Sequence, residues 1–272
     1  YRELGDDRGA AKALNNLANA AADEGAYGEA LARYGEALHL LELMGNSRGQ
    51  SALLNNRGTV YWAVGRYAEA GAHYRRALRI YRESGNDQAV AETLANLALL
   101  AYSTGDYAAA VRTAEQAIAI SESYDDISNL ANAWTYRAKA HSAMGQLEAA
   151  EASLQSALRL RGEALRPGAV VELHAERAYL AHLRQQPQAA LTLIEPVLAA
   201  LLQDADLVNA EDPLRVHWIC HEILSAAGDP RAAGVLERAR ATLLARADHL
   251  ADPELRTSFL ESIALHRALL AH

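Results

Sequence analysis

The sequence predicts an all-α solenoid, and three observations carry that expectation. Gly25-Ala26-Tyr27, Gly65-Arg66-Tyr67 and Gly105-Asp106-Tyr107 stand 40 residues apart, and Gly145-Gln146-Leu147 continues the step with Leu in place of Tyr. A second series, Gly5, Gly45 and Gly85, keeps the same step, with Asp125 in the fourth place. Strand-like alternation of apolar and polar residues is absent, and the apolar content (51%) is mostly Ala and Leu, the strongest helix formers. A fixed period of roughly 20–50 residues marks an array of units that bury their apolar faces against their neighbours.

Each unit reads as two helices. In the first, helix A runs from about Arg8 to Glu24 and helix B from Tyr27 to Met44. Gly25 stands where a tight connection needs positive φ, and Gly5, Gly45 and Gly85 stand where helix B ends. The residues that follow, Asp6-Asp7, Asn46-Ser47 and Asn86-Asp87, are N-cap types for the next helix A. Small residues recur at Ala18, Gly58, Ala98 and Ala138, at Ala30, Ala70, Ala110 and Ala150, and at Ala37, Ala77, Ala117 and Ala157. Large apolar residues fill the spaces between: Leu14, Leu54, Leu94 and Trp134, then Leu38, Leu78, Ile118 and Leu158. Large-against-small alternation at helical spacing is what interlocking antiparallel helices require.

These positions resemble the tetratricopeptide repeat (TPR). The second unit carries Leu54, Gly58, Tyr61, Gly65-Arg66-Tyr67, Ala70, Tyr74 and Ala77-Leu78 in the family's order. The usual period is 34 residues, so these are long variants, extended at the end of helix B. The resemblance implies a right-handed superhelix of about six helical hairpins plus a C-terminal capping helix. The expected boundaries are regular repeats at 8–46, 47–86, 87–126 and 127–166, two divergent repeats over 167–250, and a capping helix over 251–272.

After Arg161 the punctuation changes, and all six prolines lie there. Five mark helix starts, predicting helices near 167–184, 187–203, 213–227, 230–247 and 253–271. Pro196 falls inside its helix and should kink it. Gly228-Asp229-Pro230 is displaced by three residues from the 40-residue phase, which predicts an insertion around 205–212. The tail carries an apolar stripe, Leu255, Phe259, Ile263 and Leu270. At the other end, Tyr1–Asp7 aligns with Tyr81–Asp87, so the chain reads as a piece of a longer protein that begins in the tail of a preceding repeat.

Composition excludes several function classes. The net charge of -8 argues against a nucleic-acid partner. A single cysteine, Cys220, precludes an internal disulfide, and no apolar run is long enough for a membrane helix. The cytoplasm is the expected compartment. No phosphate-binding loop or nucleophile elbow occurs, and no cofactor or metal is expected. Cys220 beside His221 makes a poor catalytic pair, because adjacent helical residues point apart. His217 and His221 share a helical face but lack the pattern of a zinc protease, and read as structural. Asp204, Asp206, Glu211 and Asp212 read as a solvated acidic loop.

The resemblance places the ligand on the concave face formed by helices A. One groove position carries Lys12, Ala52, Glu92 and Asn132, and the other carries Asn16, Asn56, Asn96 and Tyr136. Asn15, Asn19, Asn55, Thr59, Trp62 and Tyr102 add polar and aromatic groups nearby. An Asn ladder offers both donors and acceptors to an extended peptide; alternatively it ties neighbouring repeats together. The family's clamp for a C-terminal carboxylate is matched by Lys12, Asn16 and Asn56, but Glu92 departs from it with the wrong charge. A neutral or basic peptide segment, or a segment of the parent protein, is therefore the expected partner. The long repeats with Asn-Asn-Leu in helix A are similar to the arms of bacterial signal-transducing (STAND-type) ATPases and transcription activators. They also resemble kinesin light chains and peptide-sensing quorum regulators. That resemblance implies a non-catalytic sensor or scaffold arm, which releases a restrained nucleotide-binding domain of its own protein when it is engaged.

Overall fold

A computed structural model describes residues 7–124, 126–163, 167–202 and 210–272. Among these the structure is helical throughout and holds no strand. Four regular hairpins come first: α1 (Asp7–Asp23) with α2 (Tyr27–Leu43), α3 (Ser47–Ala63) with α4 (Tyr67–Glu83), α5 (Asp87–Ser103) with α6 (Tyr107–Ser121), and α7 (Ile127–Ala143) with α8 (Leu147–Glu163). A 3-10 turn at Glu122–Tyr124 follows α6. Then come α9 (Pro167–Leu183) with α10 (Pro187–Leu202), α11 (Pro213–Ala226) with α12 (Arg231–Asp248), and two short helices, α13 (Pro253–Glu261) and α14 (Ala264–Ala271). The proposed tail of a preceding repeat and most of the proposed insertion lie outside the described residues.

The local signals act as the sequence implies. Gly25, Gly65, Gly105 and Gly145 have φ between 72° and 82°, the left-handed region that only glycine enters without strain. At each turn the chain closes with a pair of backbone bonds, as in Gly25 N to Ala22 O and Ala26 N to Ala21 O. Asn46, Asn86, Asp106 and Asp126 cap their helices by accepting from the amide three residues on. Pro167, Pro187, Pro213 and Pro253 each begin a helix, Pro230 stands one residue before α12, and α10 continues through Pro196.

The recurring alanines are buried at every predicted site from Ala18 to Ala157. Gly58 shows why: a Cβ there would lie 2.7 Å from the Tyr74 ring. One apolar core runs through α1–α7, a second joins α9 to α12, and a smaller one links them across α7, α8 and α9.

The C-terminus departs from expectation. A single capping helix was predicted over 253–271; instead the chain breaks at Ser262–Ile263 and turns back. Leu255 and Phe259 are buried as predicted, but Leu269 takes the inner place and Leu270 faces solvent, because the break resets the helical phase. The two short helices also do more than cover the hairpin before them. Phe259, Leu255 and Leu269 share a core with Val64 at the end of α3, flanked by Tyr27 and Leu31 of α2. A Cβ on Gly65 would meet the carbonyl of Ser258 at 3.0 Å. The last helices thus reach across to pack on the first two hairpins.

Candidate functional site

The 40-residue phase places three rows of A-helix residues at equivalent positions of successive hairpins. The row that begins with Asn16 continues through Asn56, Asn96 and Tyr136 to Glu176. The row of Lys12, Ala52, Glu92 and Asn132 continues to Glu172, and the row of Asn19, Thr59 and Leu99 continues to Lys139 and Tyr179. The three rows change character along the array.

In the first three hairpins they form amide ties. Asn56 Nδ2 donates to Asn19 Oδ1 (3.1 Å) and Asn15 Oδ1 (3.4 Å), joining α3 to α1. Asn55 is the buried hub of the next junction: its Nδ2 donates to Glu92 (2.9 Å), and its Oδ1 accepts from Asn96 Nδ2 (3.2 Å) and Thr93 Oγ1 (3.3 Å). Tyr34 OH donates to Asn19 Oδ1 and Tyr74 OH to Thr59 Oγ1, tying helix B to helix A. The asparagines therefore act first as repeat-to-repeat ties. Glu92, expected to repel acidic ligands, is held by Asn55, and burial pushes its pKa up. Asn16 and Lys12 stay exposed on α1, where Lys12 lines a depression with Arg8 and Arg48.

From the fourth hairpin onward charge replaces amides. Lys139 on α7 donates to Glu172 on α9 at 2.7 Å and lies 3.9 Å from Glu176, all three almost wholly buried. Arg215 on α11 grips Glu176 with both Nε and Nη2, the latter at 3.0 Å. Its guanidinium also lies over the rings of Tyr102 (5.9 Å) and Tyr179 (5.6 Å). Burial opposes the charge on Lys139, but Glu172 and Glu176 outweigh it and hold the ammonium pKa above its ordinary value. Burial likewise opposes the ionised Glu172, and Lys139 outweighs it, so its pKa is lowered.

A third carboxyl completes the cluster. Glu211 accepts a hydrogen bond from the hydroxyl of Tyr136, while its own N–H donates to Glu172 Oε2 at 3.0 Å. Three acids then face two bases. Burial, then the charge of Glu172, push the odd carboxyl, Glu211, up to about 7. This corrects two expectations. Tyr136 is not an open groove position: its ring is buried and its hydroxyl is engaged by Glu211. Glu211 is not part of a merely solvated acidic loop: it stands just before the N-cap of α11, and its carboxyl and N–H meet Tyr136 of α7 and Glu172 of α9. Asp212 caps α11 through Arg215 N, and Asp204 and Asp206 lie outside the described residues.

Beside this cluster lies a chamber of about 290 Å³ between the ends of α3 and α5 and the C-terminal helices. Trp62, Tyr102, Tyr67 and Tyr107 line one side, and Leu214, Phe259 and His266 line the other. Trp62 Nε1 donates to Ser103 Oγ (2.9 Å), and the Tyr102 and Tyr107 rings stand 5.8 Å apart. Of the expected groove residues, the chamber brings together Trp62 and Tyr102. Lys139, in the fourth unit at the phase of Asn19 and Thr59, was overlooked, and the rows were followed only to the fourth unit, which left out Glu172 and Glu176. The same phase carried one unit further finds them. No such signal pointed to the closing helices, because contacts between the two ends of an array leave no periodic trace.

The remaining polar groups are structural. Cys220 is buried and its thiol is pushed up to about 12, so it holds no thiolate. His217 pairs with the Pro213 carbonyl and His221 with that of Ala232. No three-residue metal-ligand group occurs among the described residues, and no described helix is long and apolar enough to cross a membrane.

Comparison with known proteins agrees with this architecture. Residues 49–123 and residues 131–163 each match a family model described as tetratricopeptide repeat. No curated protein sequence gives a significant match. Among solved structures, nearly identical TPR-like repeats from a Podosopora anserina protein described as a kinesin light chain superpose with a TM-score of 0.56 at 21% identity, over 71% of this chain and 96% of that one. A Rap protein complexed with competence and sporulation factor gives 0.68 at 14% identity, over 95% and 73% of the two chains. The apo form of RapI gives 0.68 at 12% identity, over 96% and 97%. Residues 49–123 and 131–163 thus carry tetratricopeptide repeat patterns, and the described residues together have the fold of a TPR-like helical solenoid.

Proposed function

We propose that the chain is a non-catalytic peptide- or protein-binding module, and that it takes a short segment of its partner into the aromatic chamber at Trp62 and Tyr102. The observation that carries this is the chamber itself: a concave, aromatic-lined space whose two sides come from opposite ends of the array. Aromatic rings supply apolar contact area, and Arg246 and Asp212 at its margin offer both signs of charge to a peptide main chain. Lys12, Asn16, Asn19, Asn56, Thr59, Glu92 and Asn96 form the concave wall leading away from it. Because the C-terminal helices contribute one side, a bound segment bridges them to the first hairpins.

In the wider setting we assign the module to a bacterial, cytoplasmic regulator of the signal-transducing ATPase type, where the partner includes the protein's own nucleotide-binding domain. The sequence resemblance in helix A supports this setting. A free-standing peptide receptor is the second reading. It is favoured by the likeness to Rap structures, one of them with a bound factor, along nearly the whole chain.

The test is a selection from a random hexapeptide library on the wild-type protein, repeated on Trp62→Ala and Tyr102→Ala variants. Enriched peptides should bind the variants at least tenfold more weakly, with helicity by circular dichroism unchanged. Enriched peptides that bind all three proteins equally would move the site elsewhere, and a library with no enrichment would remove the peptide-binding reading.

A further inference from the structure

The cluster at Glu211 has the geometry of an occupied peptide site. Its wall is built from helices A at the positions where repeats 1 to 3 place Asn16, Lys12 and Asn19: Tyr136 and Glu176 on one row, Glu172 on the second, Lys139 on the third. What meets this wall is main chain running into α11. The Glu211 N–H donates to Glu172 (3.0 Å), the Asp212 N–H also favours the ionised Glu172, and the Glu211 carboxyl takes the Tyr136 hydroxyl. Glu211 as a residue remains exposed although its carboxyl is engaged, whereas Tyr136, Lys139, Glu172 and Glu176 are all buried. A pre-formed buried wall thus holds an accessible segment by one side chain and by backbone N–H groups that any peptide possesses.

We propose that Tyr136, Lys139 and Glu172 form a peptide subsite that the chain fills with its own Ala210–Asp212, and that an extended external segment carrying an acidic residue takes the place of that segment. The carboxyl of the incoming residue accepts from Tyr136 and its N–H groups donate to Glu172. Lys139 keeps Glu172 ionised, so the wall remains an acceptor when the segment leaves. The wall adjoins the aromatic chamber through Glu211, which lines both, so the segment controls access from the chamber to the rest of the groove. Release of Ala210 and Glu211 leaves α11 in place, because the helix begins at Pro213; only moving Asp212 as well would give up its cap on Arg215 N.

This inference rests on the peptide-binding reading, and its test is independent of the chamber. The probe is acetyl-Ala-Glu-Asp-Pro-Leu-amide, the sequence of residues 210–214, titrated calorimetrically into wild type and into Glu211→Ala. The variant, with its own carboxyl gone, should bind the peptide at least tenfold more tightly than wild type. Adding Tyr136→Phe should abolish most of that gain, as should replacing the peptide's Glu by Ala, which removes the acceptor for Tyr136. Glu211→Gln, which preserves shape, is run beside it with circular dichroism as a check on folding, and should show a smaller gain. Equal binding to wild type and variant, no binding to either, or a gain indifferent to Tyr136→Phe overturns the proposal. Retained binding of this peptide in Trp62→Ala, with loss of library peptides, would separate the wall from the chamber.

Discussion

The first three hairpins and the next three hold the same A-helix rows together with different chemistry. Between repeats 1 and 3 the ties are mostly between amides and hydroxyls, such as Asn56 to Asn19 and Asn96 to Asn55, with Glu92 on Asn55 the one carboxyl among them. From α7 to α11 the same rows carry Lys139, Glu172 and Glu176, joined by Arg215 and Glu211. Neutral ties can be lost one at a time, since each contributes about 0.5–1.5 kcal/mol net. A buried charge cluster cannot, since removing one member strands its partner in a medium that solvates it poorly. The first half is therefore built as a stack of separable junctions, and the second as one coupled unit.

The largest test of this contrast is Lys139→Met. It leaves Glu172 and Glu176 facing each other with Arg215 alone, and should cost about 3–5 kcal/mol in urea unfolding. Adding Glu172→Gln should recover part of the loss, because the stranded charge goes with it. A loss below about 1 kcal/mol for Lys139→Met alone would mean that the cluster is hydrated and the two halves are alike.

Next in size is Asn55→Ala. It removes the hub of the second junction and leaves Glu92 and Asn96 without their partner, an expected loss of about 1–3 kcal/mol by the same measurement. Asn16→Ala, at an exposed position of the same ladder, should stay within about 0.5 kcal/mol. If both are silent the amides serve recognition rather than cohesion; if Asn16→Ala alone weakens peptide binding, the ladder divides its roles by position.

The sequence revealed the fold almost wholly, and the reason is local: glycine turns, Asn and Asp caps and buried alanines repeat in each unit, so every unit confirms the others. The groove rows were legible for the same reason, and Glu172 and Glu176 could have been found by one further step of the count. What residues at those positions do was less legible. Whether Asn56 faces a peptide or the neighbouring repeat depends on a side-chain rotamer and an inter-repeat angle, which spacing does not encode. The break at Ser262–Ile263 and the contact of Ser258 with Gly65 depend on how far the superhelix turns over six units.

A smaller effect is the pH dependence that only the charged half should show. Glu211 titrates at about 7 when folded against an ordinary value of 4.5, so the folded protein binds the extra proton. Its contribution is complete below the unfolded value and is lost as pH rises through about 7; stability should fall between roughly pH 4.5 and 7 on this account. Although its carboxyl is engaged, Glu211 as a residue stays exposed to solvent, whose screening makes the change smaller than either substitution above. Tyr136, Lys139, Glu172 and Asp212 face it; Lys139 and Tyr136 are pushed above that interval and Glu172 below it, so these three do not cancel the slope. Glu211→Gln should flatten the melting temperature against pH, while Asn55→Ala should leave its shape unchanged. A slope that survives Glu211→Gln would place the titrating group elsewhere.

The smallest effect concerns the turns, where the halves differ by one residue. The first four hairpins turn at glycine, but the fifth turns at Gln185, the same phase of the repeat, with φ of 58° and the same pair of backbone bonds, Gln185 N to His182 O and Gln186 N to Ala181 O. A side chain in the left-handed region is strained by roughly 1–2 kcal/mol, because Cβ crowds the carbonyl that follows. Glycine relieves this but enlarges the conformational freedom of the unfolded chain, so the two effects partly cancel. Gln185→Gly should therefore stabilise the protein by about 0.5–1 kcal/mol, read as a small rise in the urea midpoint with unchanged slope. The reverse change at the matching turn, Gly145→Gln, should destabilise by a similar amount. Opposite signs at the two positions would show that the turn is one structural unit copied along the array and that charge at α7–α11, rather than turn geometry, separates its halves. Should Gln185→Gly destabilise instead, the Gln185 side chain would be holding the fifth turn by contacts of its own, and the second half would differ from the first in its connections as well as in its interior.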